Sequence, residues 1–306
     1  MNVLSLFDGI SCGKLALERA GVKNFKYYAS EIDKNAIKCS EANHPNEIIR
    51  LGDVTKVSYK DGVLFYGDGE QLSVGKIDLL IGGSPCTSFS ALGDRTGLDG
   101  KSKLFLEYLR ILKEIQSENP DVIFLLENVR MKKEYKDNLD NYLNTVGVPI
   151  CSSLLSIQIR KRFYWSNKSF SIPADLKLNF QDVKDTSNTL DARMLKLQNK
   201  THNKMWSNGK GNNTVAGGCP NVSDKSKVYC LTTKQDRNPN SGLIEYKDGC
   251  RFLSQRELEI AQTVPIGYTS CLSYNQACAV LGNGWTVEVI SHILKDILKQ
   301  NTPKRL

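Results

Sequence analysis

The sequence lacks the cysteine and histidine spacing of a metal site. None of its nine cysteines forms a C-x-x-C pair, the nearest two, Cys271 and Cys278, are seven residues apart, and only three histidines are present. Because zinc sites and disulfide frameworks need regularly spaced cysteines or histidines, we expect neither here, and no bound metal. In a reducing compartment the default interpretation of each cysteine is a small, buried, apolar side chain.

Long apolar runs are also missing. No stretch approaches the roughly 20 consecutive apolar residues that a membrane-spanning helix needs. The N-terminus, MNVLSLFDGI, has no basic start followed by an apolar core. We therefore expect no membrane span, no signal peptide and a cytoplasmic location. With 306 residues, 40% hydrophobic and 24% charged, the chain suits one large globular domain, or such a domain with a smaller companion.

Positive charge is concentrated in one part of the chain, whose formal net charge is +8. Residues 166–250 hold 13 Lys/Arg and 8 Asp/Glu, whereas the remaining residues hold 28 and 25. A basic excess in a polar stretch is typical of a protein that binds a polyanion. An ordinary solvated surface gives the same pattern, so charge alone does not decide between the two.

Strand and helix patterns alternate through the first half of the chain. Predicted strands cover 2–7, 27–30, 77–81 and 122–126, with another ending at 51–54 and a hairpin in 59–75; predicted helices begin near Leu15 and cover 34–43 and 104–115. Near-continuous apolar runs such as IDLLI and VIFLL are typical of buried parallel strands. The alternation predicts an α/β fold with a doubly wound, mostly parallel sheet.

The pattern changes past Trp165. Polar segments rich in Asn, Lys and Gly follow, and periodicity returns only near Arg251, with helical patterns at 254–262 and 287–299. We predict a first domain over 1–166, a smaller loop-rich domain over 167–248, and a return of the chain to the first domain over 249–306.

Acids and glycines follow the first three predicted strands. Ligands of open α/β sheets bind outside the carboxyl ends of the strands, where this chain has Phe7-Asp8-Gly9, Glu31 and Asp53. Glycine lets the backbone approach a ligand closely, and an acid about 20 residues further on commonly binds ribose hydroxyls. Singly, each is more simply a turn glycine or a solvated acid, but three in order favour a cofactor that contains adenosine.

Later strand ends carry reactive side chains. Cys86 follows a buried strand behind a proline, which makes it a candidate nucleophile, with a structural thiol as the alternative. Glu127, which we expect to follow the next buried strand, is a candidate general acid. Arg160 and Arg162 would face the same side of a strand and point into one cleft; alone, they would indicate a basic surface strand.

The segment PCTSFSALGDRTGLDGKSKLF at 85–105 resembles the catalytic segment of the cytosine-5 DNA methyltransferases. The family's other motifs follow in order along nearly the whole chain: FDG at 7–9, Glu31, Gly52-Asp53-Val54, SPC at 84–86, Leu104-Phe105, Glu127-Asn128-Val129, QIRKR at 158–162, RFLSQRELEIAQTVP at 251–265 and GNGWTV at 282–287. The FDGI start and Trp285 resemble the de novo eukaryotic branch, and the length resembles compact bacterial and phage enzymes. Two departures are that Ser11 and Cys12 replace glycines of the first loop, and that Gly284-Trp285 replaces a Ser-Val pair.

The resemblance implies the S-adenosylmethionine-dependent methyltransferase fold, with S-adenosyl-L-methionine as methyl donor and S-adenosyl-L-homocysteine as product. It assigns to Cys86 the attack on carbon 6 of cytosine and to Glu127 a proton at ring nitrogen 3. Arg162 would hold the base oxygen, and Arg160 would orient the site. The residues expected to line the cofactor pocket are Phe7, Asp8, Gly9, Ile10, Glu31, Ile32, Asp53, Val54, Pro85, Leu104, Asn283 and Trp285. Those expected to contact the substrate are Ser90, Asn128 and Gln158.

The expected partner is double-stranded DNA. The target carbon is inaccessible within a stacked duplex, so the cytosine must be flipped out, and residues 87–102 suit a mobile loop that closes over it. Residues 167–248 would form the target-recognition domain. A cognate restriction endonuclease is a possible further partner, and a monomer is expected.

Three other functions remain open at this stage. A tRNA cytosine-5 methyltransferase is the main alternative, but the branch of the family that acts on tRNA carries a Cys-Phe-Thr element that is absent here. A non-catalytic DNA-binding homologue would have lost Cys86, Glu127 or the cofactor acids. A small-molecule methyltransferase would not need the basic insertion or QIRKR.

Overall fold

The structure, a computed structural model, describes residues 1–84, 103–187, 220–246 and 249–299. In these ranges the strands are β1 (Asn2–Leu6), β2 (Lys26–Ser30), β3 (Ile48–Arg50), β4 (Ser58–Lys60), β5 (Val63–Tyr66), β6 (Glu70–Ser73), β7 (Leu79–Gly82), β8 (Ile123–Val129), β9 (Val148–Cys151), β10 (Gln158–Ile159), β11 (Lys161–Ser166), β12 (Val228–Tyr229), β13 (Ile244–Tyr246) and β14 (Gly249–Arg251). The helices are α1 (Cys12–Arg19), α2 (Lys34–Asn43), α3 (Lys103–Glu118), α4 (Lys133–Leu143), α5 (Gln255–Ala261), α6 (Tyr274–Asn283) and α7 (Val287–Lys299).

Seven of the strands form one sheet in the order β3-β2-β1-β7-β8-β11-β9. The strands from β3 to β8 in that order run parallel, whereas β11 is antiparallel to β8. The order reverses between β1 and β7, and the carboxyl ends of strands at such a point form the crevice in which open α/β sheets bind ligands. The predicted α/β fold with a mostly parallel sheet is confirmed.

Burial explains why the central strands form where they do. Leu79, Leu80 and Ile81 in β7 and the side chains from Ile123 to Leu126 in β8 are at most 1% exposed. Strands covered on both faces consist of near-continuous apolar residues, as these do. Each fully buried side chain of this size stabilises the fold by about 1.5–3 kcal/mol relative to an exposed one.

The structure corrects two predictions about strands, one about where a strand ends and one about how many strands a segment forms. The strand β8 runs to Val129, so Glu127 and Asn128 lie within it and not after it. The reason is the antiparallel partner β11, which pairs Arg162 with Val129 and so extends the strand past its apolar run. The segment predicted as a hairpin is a three-stranded antiparallel sheet of β4, β5 and β6.

The chain divides into two compact units, one of 1–150, 161–172 and 290–306, the other of 151–160 and 173–289. The second unit contains two small sheets, β10 with β12 and β13 with β14. Its helix α5 begins with a capping box, in which Ser254 and Glu257 each accept the other's backbone N–H. The domain boundaries that the sequence predicts after residues 166 and 248 stay a prediction.

One helical stretch of the described chain, 274–299, is long and apolar enough to cross a membrane by length and composition. It comprises α6 and α7, and 72% of its most apolar window is buried inside the protein. Such burial is what core helices show.

Candidate active site

The loop after β1 has an alternating backbone conformation. Phe7, Gly9 and Ser11 have φ angles of 59°, 60° and 61°, in the left-handed region. This region favours glycine and is strained for other residues unless neighbouring contacts hold them there. Phe7 and Ser11 therefore need support from the surrounding structure.

Asp8 supplies that support from a fully buried carboxylate. Its Oδ1 atom accepts the hydroxyls of Ser5 and Tyr27, both at 2.7 Å, and its Oδ2 atom accepts the Ser11 hydroxyl. Arg50 lies 3.4 Å from Oδ2. Burial, and then the charge of Asp8, raise the pKa of Tyr27 well above its usual range, so its hydroxyl remains a donor. Asp8 was predicted to line the cofactor pocket; its carboxylate holds the loop in place.

Glu31 connects the loops after β1 and β2. Its Oε2 atom accepts the N–H of Gly9 at 2.7 Å, and its Oε1 atom accepts the N–H groups of Ile32 and Asp33 at 2.8 Å. The Ile32 side chain beside it is 70% exposed, which is unusual for a large apolar residue. An acceptor and an apolar surface therefore lie together at the end of β2.

Asp53, the last of the predicted cofactor acids along the chain, lies in the loop after β3. Its Oδ1 atom accepts the backbone N–H and the hydroxyl of Thr55, both at 2.9 Å, and caps a single 3-10 turn that contains Val54. The Ser30 hydroxyl donates to the Gly52 carbonyl at 2.7 Å. The loops after β1, β2 and β3 are thus joined by hydrogen bonds, and the predicted cofactor acids lie on one edge of the sheet.

Apolar side chains border this edge. Phe7 and Leu104 are half-buried and pack against the core, and Ile10 is fully buried. Two residues predicted for the same pocket, Asn283 and Trp285, belong to the second unit, where Asn283 is exposed and Trp285 is half-buried.

Glu127 and Arg162 form an ion pair on neighbouring strands. Arg162 Nε lies 2.9 Å from Glu127 Oε1, and both side chains are nearly enclosed, at 13% and 11% exposure. In the register of β8 and β11, Glu127 faces Tyr164 and Val129 faces Arg162, so the pair is a diagonal one. The sequence predicted both side chains for the site, and the structure brings them together.

Asn128 contacts the segment that leads to Cys86, the predicted nucleophile. Its Nδ2 atom donates to the Ser84 hydroxyl at 3.3 Å. A Cβ atom on Gly82 would lie 2.9 Å from the Tyr108 ring and 3.0 Å from the Leu6 carbonyl oxygen, so only glycine fits where β7 ends. The direction of the chain up to Ser84 is therefore fixed.

Three predicted site residues, Pro85, Cys86 and Ser90, lie outside the described residues, as does the whole of the predicted loop 87–102. Their roles stay predictions.

QIRKR is not one continuous strand, contrary to the sequence-based expectation. Arg160 separates β10 from β11 and belongs to the second unit, whereas Arg162 belongs to the first. The buried Arg160 guanidinium donates to the carbonyl oxygens of Leu231, Gly282 and Gly284 at 3.0–3.2 Å. The arginines therefore have different partners, and Arg160 cross-links backbone segments.

Gln158 and Gln262 form a polar network that the sequence did not reveal. Gln158 is fully buried and donates to the Ala261 carbonyl oxygen at 2.9 Å and to Gln262 Oε1 at 3.1 Å. Gln262 Oε1 also accepts the Thr286 hydroxyl at 2.9 Å, and its amide donates to the Gly284 carbonyl at 3.0 Å. The only signal for Gln262 was its place in RFLSQRELEIAQTVP. Gln158 was predicted to contact substrate, and its amide is used within the protein.

One group of possible metal ligands occurs in the described part of the chain. Glu18, His44 and Glu47 bring carboxylate and imidazole atoms within 4.8 Å of one another. The nearly buried ammonium group of Lys14 pairs with both carboxylates. The lysine thus provides the positive charge between them.

The sequence matches known proteins over this same framework. Residues 1–148 match the family model of the C-5 cytosine-specific DNA methylases. The orphan methyltransferase M.SPRI of Bacillus phage SPR is 39% identical over 132 residues, which is 42% of this chain and 26% of that protein. The type II methyltransferase M1.ScrFI of Lactococcus lactis subsp. cremoris is 28% identical over 97% of this chain and 78% of its own length.

Two further comparisons cover nearly complete chains. The type II methyltransferase M.Bsp6I of Bacillus sp. (strain RFL6) is 27% identical over 98% of this chain and 99% of its length. The crystal structure of the S. pombe Dnmt2 methyltransferase superimposes with a TM-score of 0.73 over 98% of this chain and 99% of that one, at 17% identity, and so supports the fold. The family model, the relatives and the fold agree in placing residues 1–148 in the family of C-5 cytosine-specific DNA methylases.

Proposed function

We propose that this chain transfers a methyl group from S-adenosylmethionine to carbon 5 of a flipped-out cytosine in double-stranded DNA, at a specific sequence, with Cys86 as nucleophile. The observation that carries the proposal is the Glu127–Arg162 pair, with Oε1 and Nε 2.9 Å apart. Cytosine presents a ring nitrogen and a carbonyl oxygen side by side on one edge. A carboxyl group and a guanidinium group held together match that edge.

The linked loops after β1, β2 and β3 fit S-adenosylmethionine, the methyl donor that this family uses. Glu31 Oε2 accepts one backbone hydrogen bond and has capacity for a second, which suits a ribose hydroxyl. The exposed Ile32 side chain offers an apolar surface for the adenine ring. Asp53, a hydrogen-bond acceptor on the next loop, suits the adenine amino group. Bound there, this cofactor supplies an activated methyl group on a positively charged sulfur.

Covalent catalysis explains why a thiol is needed. Carbon 5 of cytosine is a poor nucleophile, and addition of the Cys86 thiolate to carbon 6 moves the electron pair of the 5,6 double bond onto carbon 5. Glu127, in its protonated form, gives a proton to ring nitrogen 3 as that charge develops. Arg162 donates to the base oxygen and holds the Glu127 carboxyl group in position.

The reaction ends by restoring the aromatic ring. After carbon 5 has been methylated, a base removes its proton, the 5,6 double bond re-forms, and Cys86 leaves as a thiolate. The ring-nitrogen proton returns to Glu127, so the enzyme regains its starting state. Asn128, through its bond to Ser84, positions the segment that leads to Cys86.

The relatives support the proposed partners. Two are named as type II methyltransferases and one as an orphan phage methyltransferase. A DNA substrate, a cytoplasmic location in a bacterial or phage-infected cell, and a cognate restriction endonuclease are consistent with those names. We propose a monomer that reads DNA mainly through residues 167–248.

Bisulfite sequencing of host DNA tests the proposal. A host that expresses the wild-type chain should acquire 5-methylcytosine in one short sequence context, and a host that expresses Cys86→Ala at the same level should not. The tRNA of both hosts is sequenced in parallel. Methylated tRNA with unmodified DNA would replace DNA by tRNA as substrate, and unmodified nucleic acid of both kinds would refute the proposal.

A further inference from the structure

Residues 232–241 form a loop of the second unit, which we call the Arg237 loop. It directly follows Leu231, which is hydrogen-bonded to two residues of the QIRKR segment. Leu231 donates its N–H to Gln158 Oε1 at 2.8 Å, and its carbonyl oxygen accepts Arg160 Nη1 at 3.1 Å. Gln158 and Arg160 are both buried, so water does not compete for these bonds. The start of the loop is therefore fixed.

The base of the Arg237 loop is closed by backbone contacts. A Cβ atom on Gly282 would lie 2.4 Å from the Thr232 carbonyl carbon, so the loop and the C-terminal end of α6 touch without a side chain between them. The N–H of Tyr229 donates to the Ser241 carbonyl at 2.8 Å. Inside the loop, the fully buried Gln235 accepts the N–H of Ser241 through Oε1 at 3.2 Å. These bonds hold the base of the loop together.

The tip of the Arg237 loop exposes cationic and amide side chains. Lys234, Arg237 and Asn238 are exposed, and the Arg237 side chain is 68% accessible. The one acid of the loop, Asp236, is only 10% exposed, and its contact with Arg237 is long, at 3.5 Å. Because the contact is long and its Arg237 end is exposed to solvent, it contributes little energy, and Arg237 is available to a ligand. The tip thus presents positive charge and amide donors on a fixed base.

We propose that Arg237 and Asn238 read base edges in the major groove of the DNA, that Lys234 contacts a phosphate, and that Gln158 and Arg160 position the loop. Arginine pairs in bidentate fashion with guanine and asparagine with adenine, and a lysine serves the sequence-independent phosphate contact. Reading of this kind needs a rigid support, because discrimination depends on the direction of the hydrogen bonds. The inference rests on the proposed function, since it concerns the DNA of that reaction.

A methylation profile on a duplex library tests this proposal. The full chain is incubated with S-adenosylmethionine and duplexes in which the bases around one cytosine are randomised, and bisulfite sequencing gives the base preference at each position. Wild type, Arg237→Ala and Asn238→Ala are compared. The matched control is Arg256→Ala, which removes one exposed charge from the same unit outside residues 167–248. Equal melting temperatures establish that each variant is folded.

Arg237→Ala should relax discrimination at one base pair by about 5- to 150-fold, and Asn238→Ala at a neighbouring pair, because each bidentate contact discriminates by about that much. The control should keep the wild-type profile. Profiles of both loop variants identical to wild type, or a rate loss equal for all sequences, would overturn the base-reading role. A wild-type chain that methylates no duplex would instead contradict the proposed function, so the two failures are distinguishable.

Discussion

Arg162 holds Glu127 from the adjacent antiparallel strand, with Nε 2.9 Å from Oε1. The pair is nearly enclosed, so its charges interact more strongly than they would in water. Glu127 lies on β8 and Arg162 on β11, and the register of these strands sets the distance between the two side chains. A substitution of either residue therefore changes the environment of the other side chain.

Glu127→Gln should slow methyl transfer by about two to four orders of magnitude, because a general acid contributes about that much. Single-turnover rates at saturating DNA and cofactor measure the effect without a contribution from binding. Glu134→Gln, an exposed acid on α4, is the matched control and should react at the wild-type rate. A Glu127→Gln variant as fast as this control would remove Glu127 from the mechanism.

Tyr27→Phe should weaken cofactor binding more than it changes the rate at saturation. The variant loses a 2.7 Å hydrogen bond to Asp8, whose carboxylate holds the loop of Phe7, Gly9 and Ser11. A hydrogen bond to a charged group stabilises the fold by about 1.5–3 kcal/mol, so the unfolding free energy should fall by a similar amount. Calorimetric titration with S-adenosylmethionine and urea unfolding measure the two effects.

The exposed Tyr142→Phe is the comparison for that variant, because Tyr142 lies on α4, outside this network. Unchanged cofactor affinity in Tyr27→Phe, together with lower stability, would mean that the Asp8 network serves folding alone.

Arg160→Lys should both destabilise the protein and broaden its sequence preference. A lysine keeps the charge but cannot donate in the arginine's geometry to the carbonyls of Leu231, Gly282 and Gly284. The loss of two hydrogen bonds of this kind should lower the free energy of unfolding by at most about 3–6 kcal/mol. Hydrogen bonds that water or the lysine makes in their place reduce this loss. Urea unfolding gives the first effect, and the duplex library gives the second. Arg256→Lys, whose arginine makes one exposed bond to the Val183 carbonyl, should change neither.

Two results would show that Arg160 does not position the Arg237 loop. One is a narrowed base preference in Arg160→Lys, and the other is a base preference identical to wild type in a variant that is nevertheless destabilised.

Asp140 should make stability depend on pH in the acidic range. Burial alone would raise its pKa, but hydrogen bonds from Lys136, Trp165 and Gly147 outweigh burial and lower the pKa below its usual value. A carboxyl group whose pKa is lower in the folded state stabilises fully above its unfolded pKa, about 3.9. That contribution is lost as the pH falls through the folded value.

Asp140→Asn should therefore be less stable than wild type at pH 7, and the difference should shrink as the pH falls from 5 toward 3. Urea unfolding at several pH values measures it. Asp137→Asn, which breaks an exposed pair with Lys133, is the control and should have little effect. A difference that is constant over this pH range would contradict the account.

The framework of the fold was predictable because its signals are local. The apolar runs at 77–81 and 122–126 predict buried strands, which the structure has at Leu79–Gly82 and Ile123–Val129, and the predicted helices over 34–43 and 287–299 coincide with α2 and α7. Glu127 was expected after its strand because the apolar run ends at Leu126. The strand continues through polar residues only because β11 pairs with them, and pairing between distant segments leaves no local pattern.

The site was predictable in residue identity more than in geometry. The sequence predicted Glu127 and Arg162 together, and they do meet. It also placed Arg160 on the same strand face, but the strand breaks there and the side chain is taken up by three carbonyl groups. Gln262 gave no signal of its own, because its partners come from segments 24 and 104 residues away.

The most direct test of the central claim is nucleoside mass spectrometry after reaction with S-adenosylmethionine that carries a trideuterated methyl group. The purified full chain is incubated with duplex DNA, and wild type is compared with Cys86→Ala, whose DNA binding is measured separately. We predict trideuterated 5-methyldeoxycytidine with wild type and none with Cys86→Ala, although the variant still binds DNA. Labelled product from Cys86→Ala at a rate close to wild type would contradict the assignment of Cys86 as the nucleophile.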